Sequence, residues 1–306
     1  MTNATELLLD IRRKDTPNPK TFKSVKSNIL NLRRFLQEEG LPDSLATLAR
    51  TDIFDRYADW LRRQPIAMAT ANQRITTLAA NLRILAKEPN LDFKPEIPKK
   101  LPKFEDDRDQ EEKIANELAL TEKQLDKLVA LEELTPLEAK VRDMFLIQCY
   151  SGIRVEDIPQ ILSTKNRQTL EGEPFSIFTP KKVSHTKLKS TIPLANPYPR
   201  LLQLVDKYAD KCPMERHSNE YNDLIRQVCH KAGFNKMVTT TPLEADGEKK
   251  KVRKHLWELM HSHIGRHTFV TNCKHRGLSD KEIIKITGHA TPVYIRTVYD
   301  NTAETY

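Results

Sequence analysis

A proline-rich segment followed by a charged run divides this 306-residue chain and constrains its fold more than any other feature. Residues 88–113 read EPNLDFKPEIPKKLPKFEDDRDQEEK, with four prolines ahead of the charged run. Proline breaks helices and stiffens extended chain, so we place a domain boundary in this region. The sequence therefore predicts one domain at residues 1–103, an acidic linker at 104–117 and a second domain at 118–306.

The net charge of +8 is distributed in blocks along the chain. Residues 1–103 hold 19 lysines and arginines against 12 acids, whereas residues 104–140 hold 5 against 12. Residues 141–306 hold 26 against 18. Two basic bodies joined by an acidic segment favour a polyanionic partner such as nucleic acid, although ordinary surface lysines would give the same totals.

Several classes of protein are disfavoured by what the sequence lacks. No apolar run approaches the ~18 residues that a membrane-spanning helix needs, and the N-terminus MTNATELLLDIRRKD has no signal-peptide core. The four cysteines contain no CxxC pair: Cys149, Cys212, Cys229 and Cys273. Wide spacings of this kind are typical of reduced thiols, so we expect a cytoplasmic protein with no membrane contact.

Helical periodicity dominates the first hundred residues. A helix is predicted at 20–39 because apolar residues recur three and four positions apart: Phe22, Val25, Ile29, Leu32 and Leu36. Further helices are predicted at about 52–63 and 68–87. The first domain is therefore predicted to be a small basic helical bundle.

The second domain mixes helices with short strands. A capping box at Thr121 and Gln124 begins a helix in 120–131. Hairpins are predicted in 175–194, around a lysine-rich turn, and in 236–260, around Asp246 and Gly247. The remaining helices are predicted at 136–150, 197–210, 218–231, 264–276 and 279–287. The fold class is mostly α with small β-hairpins, an α+β arrangement in the second domain.

Four fragments of the second domain carry residues suited to phosphodiester chemistry. They are SGIRVEDI (151–158), the lysine-rich hairpin, HSHIGRHTF (261–269) and ITGHATPVYIRTVYD (286–300). Cleaving a phosphodiester needs cations on the non-bridging oxygens, a nucleophile in line and an acid for the leaving oxygen. Arginine forks bind two phosphate oxygens, lysine can donate the proton and tyrosine can attack, so no metal is required.

The order of these residues resembles the tyrosine recombinase (phage integrase) family over roughly residues 20–300. The order is Arg154, a hairpin lysine, His263-x-x-Arg266, Gly288-His289 and Tyr299. The LTEKQL opening and the IPL end of the hairpin are also similar to that family. The resemblance implies a helical core-binding (SAM-like) domain and a catalytic domain that form a C-shaped clamp on double-stranded DNA. It also implies a 3′-phosphotyrosyl intermediate and a Holliday junction within a homo-tetramer, with no cofactor, metal or ATP.

The resemblance assigns a role to each matching residue. Arg154 and Arg266 would clamp the scissile phosphate, and His263 and His289 would donate hydrogen bonds to it. Asp157 would support the site by orienting Arg154. His267 is expected to be structural.

The catalytic lysine and tyrosine leave alternatives open. Lys182 is favoured because it begins the turn, but Lys181, Lys187 and Lys189 compete with it. Tyr299 follows His289 by ten residues, one more than the common family spacing, which keeps Tyr294 and Tyr306 as alternatives. Only seven residues follow Tyr299, a short tail for tetramer assembly, and the nineteen residues before the first predicted helix leave no room for an arm-binding domain.

The resemblance also indicates the partners and the competing functions. The cations expected to contact DNA lie on the N-terminal helices: Lys23, Lys26, Arg33, Arg34, Arg74 and Arg83. Accessory DNA-bending proteins and a nucleoid location would be compatible with this function. Three alternatives remain: a zinc site among the histidines of 255–275, a DNA-binding regulator without chemistry, and a type IB topoisomerase.

Overall fold

The computed structural model describes residues 3–105, 118–184, 188–213, 219–241 and 250–288. They separate into two compact units, the first containing residues 3–105 and the second most of the described residues from 118 onward. Among the described residues, no helix is long and apolar enough to cross a membrane.

The first unit is helical, as predicted. Its helices are α1 (Ala4–Asp15), α2 (Pro19–Glu38), α3 (Leu45–Leu48), α4 (Ile53–Arg62) and α5 (Met68–Leu85). The structure confirms the three predicted helices as α2, α4 and α5. Helix α1 was not predicted, yet Ala4, Leu8 and Ile11 are buried at helical spacing, and the backbone of α1 begins with Ala4 N–H donating to Asp43 O at 3.2 Å.

An aromatic cluster forms the centre of the first core. The rings of Phe35 and Tyr57 lie 5.0 Å apart between centroids, and Trp60 stacks on Tyr57 at 5.8 Å. The indole nitrogen of Trp60 donates to Glu38 at 2.7 Å, so its polar atom remains bonded although the ring is buried. These contacts join α2 to α4.

The proline-rich segment packs onto this first unit as an extended chain. Phe93 and Phe104 are buried, and the Asn72 side chain on α5 holds the end of the segment. Its amide nitrogen donates to Phe104 O, and its Oδ1 accepts from Phe104 N–H, both at 2.8 Å. Phe104, which the sequence placed in the linker, therefore packs with the first unit.

The second unit contains seven further helices among its described residues. They are α6 (Glu122–Val129), α7 (Pro136–Ser151), α8 (Ile158–Leu162), α9 (Pro199–Lys207), α10 (Asn219–Lys231), α11 (Ser262–His275) and α12 (Asp280–Thr287). The predicted capping box of Thr121 and Gln124 is confirmed, and Ser279 with Glu282 forms another at α12. Helix α8 was not predicted.

Two small antiparallel sheets complete the second unit. The first has the order β1-β2-β3, from β1 (Arg167–Leu170), β2 (Glu173–Phe178) and β3 (Ser190–Pro193). Strands β2 and β3 confirm the predicted lysine hairpin, in a register that pairs Phe178 with Ser190. Strand β1 was not predicted, since RQTL is largely exposed and carries no alternating apolar residues.

The second sheet confirms the second predicted hairpin. Strand β4 (Met237–Thr240) pairs with β5 (Val252–His255), with Met237 opposite His255 and Thr240 opposite Val252. Asp246 and Gly247 lie outside the described residues.

Helices α7 and α11 form the centre of the second core. A side chain at Gly265 on α11 would place its Cβ 2.8 Å from Gln148 Cβ on α7, closer than carbon atoms approach each other. Glycine therefore permits this helix contact, which fixes the residues on either side of Gly265 against the end of α7.

Candidate active site

The end of α7 positions the first arginine. Gly152 caps the helix with φ of +67°, a left-handed conformation that glycine adopts without a Cβ penalty. A Cβ here would also overlap the Phe269 ring of α11. The chain then turns sharply, so Arg154 leaves the helix end two residues later.

Arg154 is half-buried, and its position suggests an anionic ligand. Its buried Nη1 has no hydrogen-bond partner among the residues that the structure describes. An unsatisfied buried donor costs about 1–3 kcal/mol, and more when the group is charged. A phosphate oxygen would satisfy this donor.

Arg266 reaches the same turn from α11. Its side chain is 1% exposed, and Nη1 donates to Gly152 O at 2.8 Å. That hydrogen bond satisfies a carbonyl at the end of α7 and fixes the guanidinium beside the turn that carries Arg154. The two predicted arginines are therefore brought to one place by different helices.

Three histidines surround the start of α11. His261 caps the helix by accepting from His263 N–H at 3.2 Å, and the rings of His263 and His267 lie 4.9 Å apart. Partial desolvation, followed by the charges of Arg266 and other cations, lowers the pKa of His263 to about 4, although its side chain keeps contact with solvent. Desolvation also lowers the pKa of the buried His267, to about 3. Both rings are therefore neutral near pH 7, and a neutral ring can donate one hydrogen bond.

The lysine turn lies within electrostatic range of these groups. Lys181 and Lys182 are exposed in a 3₁₀ turn after β2, and the charges of Lys182 and Arg154 both contribute to the lowered pKa of His263. Lys189 is also exposed, whereas Lys187 lies outside the described residues. Lys182 and Arg154 therefore both act electrostatically on His263.

Asp157 is a buried carboxyl that bonds the lysine turn. It is 2% exposed, and its Oδ1 accepts from the Lys181 backbone N–H at 2.9 Å. Burial raises the pKa of this carboxyl, and the Lys181 hydrogen bond opposes that rise. Its hydrogen bond goes to the lysine turn, and the charge of Arg154 also acts to lower its pKa, so the role of Asp157 in orienting Arg154 stays a prediction.

The end of α12 packs on the same hairpin. Gly288 has φ of +65°, and a Cβ there would lie 2.6 Å from Ser190 Oγ and 2.9 Å from Pro180 Cγ. The predicted His289 comes immediately after this glycine. His289 and Tyr299 lie outside the described residues, as do Tyr294 and Tyr306.

The predicted DNA contacts of the first unit fall into two groups. Arg33 bonds within the fold, since its Nε donates to Thr5 Oγ1 at 2.8 Å, and Arg34 pairs with Glu38 at 2.6 Å. Arg74 is half-buried, and its charge acts on the Tyr57 hydroxyl, whose pKa is raised mainly by burial. The others are exposed and form no ion pair with described residues: Lys23, Lys26 and Arg83. The assignment of Arg33 missed its structural role in joining α1 to α2.

Within the described ranges, no three metal-ligating side chains come together. Cys273 is buried, which raises the pKa of its thiol to about 12.

Sequence reasoning missed the residues that hold the site together. These are Gly265 in the helix contact, the Gly152 carbonyl, and Pro180 with Ser190 beneath Gly288. The glycine in HIGRH was the one visible signal, since an isolated glycine within a helix indicates close packing.

Comparison with known proteins gives a family and a fold. The sequence profile described as the phage integrase family matches residues 119–305. No curated protein sequence matches the chain significantly.

Several solved structures similar to the chain are recombinases or integrases bound to DNA. A lambda integrase dimer on a core site matches with a TM-score of 0.59 and 17% identity, over 98% of this chain and 97% of that one. The Tn1549 transposon integrase with transposon right end DNA matches with a TM-score of 0.59 and 16% identity, over 97% and 95%. The XerH recombinase on its difH substrate matches with a TM-score of 0.58 and 13% identity, over 97% and 81%.

These likenesses show the fold, and the profile covers well over half of the chain, including every residue of the Arg154-to-Tyr299 series. The chain belongs to the phage integrase family of tyrosine recombinases.

Proposed function

We propose that the chain is a site-specific recombinase that cleaves and rejoins double-stranded DNA through Tyr299. One observation carries the proposal: Arg154 and Arg266 converge on the turn after α7, and Arg154 presents a buried, unpaired Nη1 there. The neutral His263 and the Lys182 turn lie around the same turn. A phosphate supplies the negative oxygens that this group of donors lacks.

Each residue of the site has its own role in the reaction. The Tyr299 hydroxyl gives up its proton to solvent as its oxygen attacks the scissile phosphorus, a 3′-phosphotyrosyl bond forms, and the bond to the 5′ oxygen breaks. Arg154 and Arg266 neutralise charge that develops on the non-bridging oxygens, while His263 and His289 donate hydrogen bonds to them. Lys182 donates the proton to the departing 5′ oxygen. Asp157 holds the turn that carries this lysine.

Rejoining reverses the same steps with a different strand. A 5′ hydroxyl attacks the phosphotyrosyl bond and releases Tyr299, so each phosphodiester lost is regained without ATP. Two such exchanges pass through a Holliday junction. A solved structure of similar fold, with a TM-score of 0.56, is a lambda integrase tetramer bound to a Holliday junction, and we propose a homo-tetramer here as well.

The two domains have separate tasks in this proposal. The domain of residues 1–103 and that of residues 118–306 each bind the duplex, and the acidic linker at 104–117 separates them in the sequence. Exposed cations of the first domain bind backbone phosphates and position the chain: Lys23, Lys26 and Arg83. The outcome of the reaction is integration, excision or inversion in the cytoplasm.

A covalent trap tests the function. DNA sites are first selected by binding from a pool of random-sequence duplexes, then rebuilt with a nick beside the cleavage point so that the released fragment is lost. Wild type should give a protease-sensitive shifted band on a denaturing gel. The Tyr299→Phe variant should give none, and Tyr294→Phe, as the matched control, should behave as wild type.

Two further outcomes separate the alternatives. Tight binding without any covalent band would indicate a regulator without chemistry. A band together with relaxation of supercoiled plasmid, but no exchange between two sites on that plasmid, would indicate a topoisomerase.

A further inference from the structure

The first three N–H groups of α11 are bonded to residues outside the helix. Ser262 N–H donates to Asn222 Oδ1 on α10 at 2.9 Å, and Ile264 N–H donates to His261 O at 2.9 Å. Between them, His263 N–H donates to Nδ1 of the His261 ring at 3.2 Å. The first N–H groups of a helix have no acceptor within the helix itself, so His261 supplies two of the three acceptors that the first turn needs.

This cap matters more to His263 than to Arg266. Arg266 lies one turn further along α11, is 1% exposed and is held by Gly152 O. His263 is exposed, and its ring contacts that of His267 with 4.9 Å between centroids. Because burial does not fix the His263 side chain, its position depends on the first turn of α11 and therefore on the cap.

A histidine at the N-cap makes this hydrogen bond sensitive to acid. The oxygens of serine, threonine and asparagine, which are common N-caps, accept a hydrogen bond at any pH. Nδ1 of an imidazole accepts only while the ring is neutral with its proton on Nε2, since both nitrogens of the protonated ring are donors. A charged ring at His261 would also lie at the positive end of the helix. Protonation therefore removes the acceptor and repels the start of α11.

Burial and a nearby cation keep the His261 ring neutral. Desolvation, followed by the charge of Arg226, lowers the pKa of His261 from its ordinary value of 6.5. Arg226 lies on α10, donates to Met260 O at 3.4 Å and pairs with Asp223, so it is fixed beside the start of α11. The cap is therefore intact near pH 7 and is released only when the pH falls below 6.5.

The other ionisable groups on the elements around His261 do not produce the same pH dependence. On α11, His263 and His267 have pKa values of about 4 and about 3, so both rings stay mostly neutral down to pH 5. In the turn ahead of His261, Glu258 accepts from His255 N–H at 2.6 Å. A loss of cleavage between pH 6.5 and pH 5 that depends on His261 is thus distinct from titration of the two rings on α11.

We propose that His261 is a positioning residue for DNA cleavage: its neutral ring holds the first turn of α11, and with it His263, and acid slows cleavage by releasing that turn. The inference rests on the proposed function, in which His263 donates a hydrogen bond to the scissile phosphate. It goes further because it assigns the acid sensitivity of the reaction to a residue that acts through His263.

The cap can be observed without DNA. In protein labelled with ¹⁵N-histidine, nuclear magnetic resonance detects both the His261 ring and the His263 amide. Near pH 7 the ring should carry its proton on Nε2, and the His263 amide should exchange slowly with solvent. Protonation of the ring should speed this exchange about fivefold relative to the same amide in His261→Asn at the same pH, a factor that corresponds to a typical helix cap. A His263 amide that stays equally protected while the His261 ring becomes protonated would overturn the proposal.

Three substitutions separate capping from any other role of the ring. Asparagine places an acceptor where Nδ1 lies, glutamine places its polar atoms near the position of Nε2, and alanine has no acceptor. At saturating protein, His261→Asn should cleave like wild type at pH 7 and lack the further loss, about fivefold, that wild type shows between pH 6.5 and pH 5. His261→Gln and His261→Ala should cleave about fivefold more slowly than wild type already at pH 7.

A matched control tests whether any histidine of α11 would have this effect. His275 is exposed at the other end of the helix, and His275→Asn should keep the acid sensitivity of wild type. Acid sensitivity that persists unchanged in His261→Asn, or wild-type cleavage by His261→Gln at both pH values, would contradict the assignment. Thermal unfolding at each pH reports whether a variant is folded. A wild type that forms no Tyr299 adduct at any pH counts against the proposed function, whereas the His263 amide decides the cap.

Discussion

Adding one methyl group at Gly265 should impair cleavage far more than it impairs folding. In Gly265→Ala the new Cβ would lie 2.8 Å from Gln148 Cβ, and 3.4 Å from the Cys149 backbone nitrogen. Carbon atoms pack at about 3.5–4.0 Å, so α11 must retreat from α7 by about 1 Å. The retreating helix carries His263 and Arg266.

The expected loss of folding stability is small compared with the expected loss of cleavage rate. Overpacking costs about 1–3 kcal/mol, and replacing glycine by alanine within a helix returns about 1 kcal/mol, so unfolding should become easier by about 0–2 kcal/mol. A displacement of 1 Å at reacting groups costs on the order of 10²-fold in rate. We therefore expect the cleavage rate to fall about a hundredfold while the protein stays folded.

Single-turnover cleavage of nicked DNA measures the cleavage rate, and thermal unfolding measures the stability. DNA affinity should change little, because the cations of the first unit are untouched. Combining Gly265→Ala with Gln148→Gly removes the clashing Cβ, although it also removes the amide that accepts from Tyr221 Oη at 3.0 Å. The double variant should recover cleavage and lose stability. Wild-type cleavage by Gly265→Ala itself would refute the argument that this contact positions the arginine.

Three further predictions follow from the described contacts. Arg83→Ala should weaken binding to every DNA sequence alike and lower the salt slope by about 0.9; a loss confined to one sequence would contradict a backbone contact. Asn72→Ala should lose both hydrogen bonds to Phe104, costing about 2 kcal/mol in denaturant unfolding and exposing the Phe104 amide to hydrogen exchange, whereas the exposed Gln73→Ala should do neither. The pKa of His267 falls from 6.5 to about 3 on folding, so between these pH values the unfolded state binds a proton that the folded state does not. The free energy of unfolding should therefore decrease as the pH is lowered below 6.5, by about 2 kcal/mol at pH 5. Unfolding curves of His267→Gln should lack this loss.

Local signals in the sequence were sufficient for most helices. The capping box at Thr121 and Gln124 begins α6 where the sequence places it, because this signal depends only on residues within one turn. The lysine hairpin was likewise visible from its alternating strands. Elements whose pattern lies within a few residues are the ones that sequence reasoning recovers.

Elements defined by distant partners were missed. Helix α1 is held by Thr5, whose N–H donates to Asp43 at 2.9 Å, a contact between residues 38 positions apart. Strand β1 is exposed at the edge of its sheet, so it exists through pairing with β2 and carries no apolar signal of its own. Neither partner can be identified from a short window of sequence.

The candidate site shows the same division. The order of Arg154, His263 and Arg266 in the sequence indicated the residues to which we assign the chemistry. Their supports were not evident, since Asp157 bonds a backbone N–H 24 residues away and Arg266 bonds a carbonyl 114 residues away. Only the folded chain brings these atoms together.

Identifying the amino acid that becomes joined to DNA tests the central claim most directly. Wild-type protein would be trapped on nicked DNA, the DNA digested to a short remnant, and the tryptic peptides fragmented in a mass spectrometer. Trypsin separates residues 286–296, which hold Tyr294, from residues 297–306, which hold Tyr299 and Tyr306. We predict the nucleotide on Tyr299. A nucleotide on Tyr294 or Tyr306, or on no tyrosine of these peptides, would contradict the account.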